Sequence, residues 1–481
     1  MIINKLKHII IILLVTMFGV NAIAQTTDSL DYYLEIAGQN NPGIKSDFLA
    51  YKAALERVPQ AGAYQDPELE VGFFLKPMDI IGGRQVADFK LMQMFPWFGT
   101  KKAAQTEAIH MAQMAFEQFR ETRDNLCFEV YTQWYLLCRL QQQLANNREN
   151  KLLLAKLEEL AIRKFSSPAA GGSVNTAPSA AVAASQPAAK PSTGGMSGMS
   201  GMGGGSVQSS SSSGSGNMGS MPAMGSSSSG MSDVLRIQLE VAELDNNIES
   251  LISEIKAEKV KFNALLNRPA GDEVNIPGEF QQIEFLFDES AVIANITRQN
   301  PMLKMITEEG LAYKAKGEMD KKMGYPMFGI GVEYMLNKKT NDPMFAMGNM
   351  NGKDMIMPMV SVSIPIYRNK YKAQQRESQL QIEASEEQYT NTLNALQSEL
   401  YKAKHQLDDA SRKIALYNKQ ENLARTTYHL IIQEFVSGRS DLTNVIQVQR
   451  QLLDYQLKRA EAVADYNTMA ATIQRLISFQ A

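Results

Sequence analysis

Hydrophobic residues alternate with polar or small ones in four stretches of the chain. Over 326–336, Phe328, Ile330, Val332, Tyr334 and Leu336 fall on one side, and Met327, Gly329, Gly331, Glu333 and Met335 on the other. A period of two predicts a strand with two unlike faces. Over 355–366, Ile356, Val360, Val362 and Ile364 oppose Met355, Met357, Met359, Ser361 and Ser363. Over 66–76, Leu69, Val71, Phe73 and Leu75 oppose Glu68, Glu70, Gly72 and Lys76. Over 86–96, Phe89 and Leu91 oppose Asp88, Lys90 and Met92. Each stretch is about the ten residues that a tilted strand needs to cross a bilayer. The same alternation also suits an antiparallel sheet packed on a soluble core.

Between the strand pairs the period changes. Residues 100–165 and 371–435 contain neither proline nor glycine, so each predicts one helix on the order of 100 Å long. In the second, Leu393, Leu396, Leu400, Ala403, Leu407, Ala410, Ile414 and Tyr417 recur in steps of three and four, the spacing of a coiled-coil seam. The first carries a looser seam of Phe119, Leu126, Val130, Leu137, Leu140 and Leu144. Shorter helices are expected at about 29–58, 233–267, 289–323 and 441–477. Stacked end to end in pairs, they nearly match the long ones.

These elements come in the same order twice. Asn40-Asn41-Pro42-Gly43-Ile44-Lys45 parallels Gln299-Asn300-Pro301-Met302-Leu303-Lys304, and Pro67 parallels Pro326. Phe95-Pro96-Trp97-Phe98 parallels Ile364-Pro365-Ile366-Tyr367. Phe165 with Ser232-Asp233-Val234-Leu235 parallels Phe435 with Ser440-Asp441-Leu442-Thr443. The chain therefore divides into residues 1–24, a first unit over 25–288 and a second over 289–481. Four membrane strands are too few to close a barrel, and hydrocarbon does not tolerate open sheet edges. If the strands are in a membrane, several chains must share one barrel: eight strands from two, twelve from three.

Residues 1–24 read as an export signal: Lys5 and Lys7, an apolar run from Ile9 to Val20, then Ala22-Ile23-Ala24. The run is too short for a spanning helix. Net charge is -3 and every acidic residue lies beyond position 24, which leaves no strongly basic surface for nucleic acid. Cys127 and Cys138 are too few for a disulfide scaffold or a cysteine zinc site, and they read as two buried apolar residues. His8, His110, His405 and His429 are scattered. No nucleophile or metal is paired with a base, so an enzyme is not expected, nor is a resident cofactor.

Over essentially its whole mature length the chain resembles the TolC family of outer-membrane factors. The resemblance rests on the two starts at 40–45 and 299–304, the FPWFG segment at 95–99 and the stretch FVSGRSDLTNVIQVQRQLLDYQ at 435–456. It implies an α+β membrane protein: a homotrimeric outer-membrane β-barrel of twelve strands, four per chain, continued by a long periplasmic α-helical barrel and built from two tandem repeats. It also implies a periplasmic adaptor and an inner-membrane pump of the RND type as partners, with outer-membrane lipid around the barrel. FPWFGTKK is similar to a segment of the heavy-metal branch that includes CusC and CzcC. Members like CusC are often lipidated, and this chain has no cysteine after its apolar run.

The two units differ in one place. From Phe435 to Asp441 is one short turn, whereas from Phe165 to Asp233 there is a long Ser/Gly/Ala/Pro tract over 168–231 whose only charge is Lys190. Such a composition cannot bury a core, and the family layout hangs it at the periplasmic tip. Met196, Met199 and Met202 form one M-x-x-M-x-x-M triplet, Met218, Met221 and Met224 another, and Met344, Met347 and Met350 a third in the loop between the last two strands. Thioethers are soft ligands that select Cu(I), and by chemical analogy Ag(I). The competing reading is linker drift. Met327, Met335, Met355, Met357 and Met359 share the face expected to line the barrel, where they serve equally well as gap-filling side chains.

Asp233, Arg439 and Asp441 flank the tip turns. They could link the aperture, or simply follow Ser232 and Ser440 as helix N-caps. Trp97, Phe98, Tyr334 and Tyr367 suit an interfacial aromatic girdle. The sequence thus points to a passive outer-membrane exit duct with a large periplasmic part, for Cu(I)/Ag(I). The alternatives are a general drug or polypeptide duct of the same family, and a periplasmic metal-binding coiled-coil protein.

Overall fold

The computed structural model describes residues 29–80, 83–166, 229–278, 280–342, 344, 349 and 351–479. The export-signal reading and nearly all of the tract over 168–231 lie outside those residues. Eight helices and five strands are described. They are α1 (Leu30–Asn40), α2 (Pro42–Gly62), β1 (Glu68–Phe73), β2 (Asp79–Ile80), β3 (Gly83–Phe95), α3 (Thr100–Ser166) and α4 (Ser229–Leu265), followed by α5 (Glu289–Gln299), α6 (Pro301–Met323), β4 (Met327–Lys338), β5 (Met355–Ser363), α7 (Arg368–Val436) and α8 (Leu442–Leu476).

The strands form one antiparallel sheet in the order β1-β3-β4-β5, with the two-residue β2 hydrogen-bonded to the start of β3. The helices nearest the sheet keep the same lateral order: α2 packs on α3, α3 on α6 and α6 on α7. Each of these helices runs directly into or out of one of the strands, so the strand order and the helix order are one arrangement. Farther from the sheet, α4 packs on α3, α3 on α8 and α8 on α7. The long α3 and α7, with 67 and 69 residues, span both zones. At 1.5 Å per residue each is roughly 100 Å long.

The shorter helices are joined by an Asn-Pro step. Proline has no N–H to give and fits the first helical turn, while the preceding asparagine caps it. Asn41 accepts hydrogen bonds from the N–H groups of Gly43 and Ile44, and Asn300 accepts from Met302 and Leu303. The same side chains also reach across. Asn41 Nδ2 donates to the Leu265 carbonyl at the end of α4 (3.1 Å), and Asn300 Nδ2 to the Leu476 carbonyl at the end of α8 (3.0 Å). One residue thus starts a helix that adjoins the sheet and satisfies the orphan carbonyl of the helix stacked against it.

The seams are apolar. Leu396, Leu400, Ala403, Leu407, Ala410 and Ile414 of α7 are buried against Ala462, Val463, Tyr466, Ala470 and Ile473 of α8, with Leu393 and Tyr417 at the margins. Leu126, Val130 and Leu137 of α3 pack with Tyr33, Trp134 and Phe262. Polar groups fix the register where α3 crosses α8: the fully buried Asn150 donates to Gln456 Oε1 (3.0 Å) and accepts from Gln449 (3.3 Å). Burying such amides without partners would cost on the order of 1–3 kcal/mol each.

The strands differ in detail from the alternation. β1 stops at Phe73 and β5 at Ser363, short of Pro77 and Pro365, which cannot donate to a ladder. β3 and β4 instead run longer, and a bulge between Gln85 and Ala87 in β3 absorbs one residue against β4.

Two outcomes follow for the helical part. Asn300→Ala is expected to lower the unfolding free energy by about 2–4 kcal/mol, combining a lost cap with an orphaned buried carbonyl. Asn300→Asp keeps the cap acceptor but sets a buried carboxylate oxygen against the Leu476 carbonyl, so it should cost at least as much as Asn300→Ala. Denaturant melts followed by circular dichroism read this, and equal midpoints for all three chains would contradict it. Separately, burial pushes the Cys127 thiol up to about 11 and the Cys138 thiol up to about 12. Thiolate is the reactive form, so maleimide at pH 7.5 should leave both unlabelled until the protein is unfolded. Rapid labelling of the folded protein would refute that placement.

Candidate functional site

The site is a surface, and it starts with the register of the sheet. Leu69 lies beside Leu91, which lies beside Val332. Val71, Phe89, Tyr334 and Ile356 form the next row, and Ile330 with Val360 and Phe328 with Val362 continue the face on β4 and β5. These apolar side chains point out of the molecule: Leu69 is 65% exposed, Ile330 60% and Val360 78%. A contiguous apolar patch across four strands is more than a soluble monomer normally leaves in water. Among the described residues nothing pairs with the outer edge of β1 or of β5.

The opposite face is of another kind. Its rows read Glu70–Lys90–Glu333–Met357, then Asp88–Met335–Met355, then Glu68–Met92–Gly331–Met359 and Met94–Gly329–Ser361. Lys90 pairs with Glu70 at 3.2 Å. Charge, thioether and glycine therefore line one side while aliphatic and aromatic carbon lines the other.

The segment Phe95-Pro96-Trp97-Phe98-Gly99-Thr100-Lys101-Lys102 turns β3 into α3. Gly99 has φ +81°, a conformation that a side chain would strain. The first helical N–H groups are taken up locally, Thr100 by the Trp97 carbonyl and Ala103 by the Gly99 carbonyl. Lys101 donates to the Gly62 carbonyl at the end of α2 (3.3 Å) and sits over the Tyr64 ring. Trp97 stacks on Tyr325 with centroids 5.1 Å apart. Trp97, Phe98, Tyr325 and Tyr367 thus collect where strands meet helices. Tyr334 lies farther along β4, where its hydroxyl donates to Asp354 (2.6 Å).

At the far end, Leu154, Leu157, Ile237, Leu244, Tyr428, Phe435, Leu442 and Val445 form the last apolar cluster. The ends of α3 and α4, between which the Met/Gly/Ser tract runs, sit beside the α7–α8 turn. Lys164 donates to the Phe435 carbonyl (2.7 Å), and Arg236 to Thr443 Oγ1 (2.5 Å). Arg450 grips Glu240 through two nitrogens. The expected tip residues are placed unevenly. Asp441 is the N-cap residue of α8, without a side-chain cap bond, and Leu442 rather than Asp441 begins the helix. Ser232 is not a cap, because α4 extends back to Ser229. Asp233 is half-buried, and burial pushes its carboxyl up; Arg236 opposes that shift and Asp441 adds to it. Arg439 is exposed. The Glu240–Arg450 and Arg236–Thr443 links are not legible in sequence, since they depend on how α4 and α8 meet.

Of the nine methionines in triplets, Met344 is described, and it is 83% exposed in the β4–β5 connection. Met196, Met199, Met202, Met218, Met221, Met224, Met347 and Met350 lie outside the described residues. Among the described residues no group of three or more His, Cys, Asp or Glu side chains could hold a metal ion. Likewise no described helix is long and apolar enough to cross a membrane.

Comparison with known proteins agrees with this geometry. Residues 295–478 match the family described as outer membrane efflux protein. No curated protein sequence matches the chain. Among solved structures, the outer membrane protein VceC from Vibrio cholerae is similar with a TM-score of 0.65 and 12% identity, over 93% of this chain and 96% of that one. CusC is similar with a TM-score of 0.67 and 12% identity, over 94% and 92%. The outer membrane channel MtrE from Neisseria gonorrhoeae gives 0.59 and 11%, over 92% and 88%. Residues 295–478 thus carry the pattern of the outer membrane efflux proteins, and the chain as a whole shares the fold of these three structures.

Proposed function

We propose that the protein is the passive outer-membrane exit duct of a tripartite exporter. The observation that carries this is the two-faced sheet with two open edges. Its apolar face suits lipid and its charged and thioether face suits a water-filled interior. Three copies would supply twelve strands, enough to leave a channel. The four-wide helical wall would then continue that channel for roughly 100 Å into the periplasm. The doubled element order and the paired Asn41 and Asn300 contacts support its origin as two tandem repeats. Energy would come from an inner-membrane pump of the RND type, reached through a periplasmic adaptor that docks near the tip, while lipid surrounds the barrel. The chain's own residues contribute a wall, a seal and a polar tip.

For the cargo we favour Cu(I) and Ag(I). The methionine triplets support it, because thioethers hold soft monovalent cations and ignore Mg or Ca. The likeness to VceC and MtrE is close to the likeness to CusC, so overall fold supports a general drug or polypeptide duct equally well. The choice falls to a measurement on cells.

Cells lacking the protein are expected to lose copper and silver tolerance, and the full chain should restore it. If those cells instead become sensitive only to detergents or organic drugs, the metal cargo is wrong and the general duct stands. A chain lacking residues 168–231 tests the tract: sensitivity at normal levels of assembled protein means that the tract captures metal or recruits a partner. Unchanged tolerance would make its methionines linker.

A further inference from the structure

The charged and thioether face of the sheet has a place where side chains are missing. Gly329 and Gly331 are successive residues of β4 on that face, and both are buried. Gly329 lies between Met94 of β3 and Ser361 of β5, and Gly331 between Met92 of β3 and Met359 of β5. A Cβ on Gly329 would stand 2.5 Å from Met94 Sδ and 2.2 Å from Ser361 Oγ. The Met94 sulfur and the Ser361 hydroxyl therefore already fill the space of the absent side chain. The Ser361 hydroxyl lies 3.6 Å from Met92 Sδ and 3.6 Å from Met94 Sδ. Two sulfurs thus bracket one oxygen over a floor of bare backbone, with Met359 across the second glycine. All four side chains are half-buried.

We propose that Met92, Met94 and Met359 form a transit site for one Cu(I) or Ag(I) ion, floored by Gly329 and Gly331. This rests on the reading of the sheet as the duct wall and of soft cations as cargo. The ligand chemistry is specific: two or three neutral thioethers satisfy a soft monovalent ion and offer little to a hard divalent one. Methionine is unbranched with three rotatable bonds, so the sulfurs can converge without moving the strands. With no Cβ on Gly329 or Gly331, β4 puts no side chain between the β3 and β5 ligands, and the Ser361 hydroxyl that sits there would turn aside for the ion. Glu68 lies in the same row as Met92 and adds a carboxylate near the cation without being required as a ligand. Neutral ligands give reversible binding, which a transit site needs. The position also fits. Met94–Gly329 is the second-last pair of the β3–β4 ladder before the chain turns at Pro96 toward α3, so the site sits where the helical wall gives way to the sheet.

The first arm of the test needs no variant. Methionine sulfur bound to silver resists oxidation to the sulfoxide. The full-length protein extracted from outer membranes is titrated with Ag(I) in thiol-free buffer and exposed briefly to hydrogen peroxide. Oxidation is then read residue by residue by peptide mass spectrometry. Met92, Met94 and Met359 are expected to be protected together, roughly tenfold at about ten times the dissociation constant, and at lower Ag(I) than the exposed Met355 and Met357. Protection of none of them, or only alongside Met355 and Met357, would make these residues gap-fillers and overturn the site. Met92→Leu with Met94→Leu, which conserves volume, should remove the low-Ag(I) protection of Met359; retained protection counts against the site. Failure of the site with the protein still in the outer membrane leaves the duct reading intact. Recovery of the protein outside that membrane sinks the duct reading instead.

Discussion

Among the described residues the sheet, whose path is β1-β3-β4-β5, has two open edges, and one of its faces is carbon. Neither feature is stable alone. Open edges are tolerated in water when they are short or charged, but not in hydrocarbon. An exposed apolar face is tolerated in hydrocarbon but not in water. The arrangement proposed above satisfies both demands: the sheet would lie in lipid and its edges would pair with sheets of other chains. The rest of the structure is compatible with that arrangement. β3 and β4 have 13 and 12 residues, long enough to cross a bilayer at a tilt. The apolar rows stay in register across β1, β3, β4 and β5.

The helices inherit their order from the sheet. α2, α3, α6 and α7 stand side by side in the sequence of the strands they adjoin, so a wall begun in one kind of secondary structure continues in the other. Two devices keep it continuous. At the junction, Gly99 makes the turn that aims α3, and Lys101 ties it to the end of α2. Midway, Asn41 and Asn300 cap the sheet-adjoining helices α2 and α6 and hold the carbonyl ends of α4 and α8. The helical seams then need only small and branched apolar residues in a three-four rhythm, which the Leu396–Ile414 seam of α7 supplies.

Much of this was legible in the sequence because it is local. Alternation gave the two faces of the sheet, since the side of a strand residue depends only on parity. The Leu393–Tyr417 seam was legible because a long helix repeats its burial pattern many times. Strand ends were less legible: β1 and β5 stop at Phe73 and Ser363, ahead of Pro77 and Pro365, while the bulge at Val86 depends on what β4 does opposite. The matched Asn-Pro pairs were visible as a likeness, but their cross-helix hydrogen bonds were not, since Leu265 and Leu476 are remote in sequence. The candidate metal residues divide in the same way. Triplets such as Met196, Met199 and Met202 announce themselves by spacing. Met92, Met94 and Met359 are brought together only by strand pairing, and the signal that could have found them is the empty Gly329-x-Gly331 face between them.

The central claim is that the sheet's edges are closed by further copies of this chain in a membrane. The most direct measurement is the native mass of the protein gently extracted from outer membranes. The account predicts an assembly of three chains, with twelve strands and no free edge, and no stable single-chain species. A protein that leaves the membrane as one chain of about 53.4 kDa or less would contradict it, because that chain would carry both open edges of its sheet into lipid.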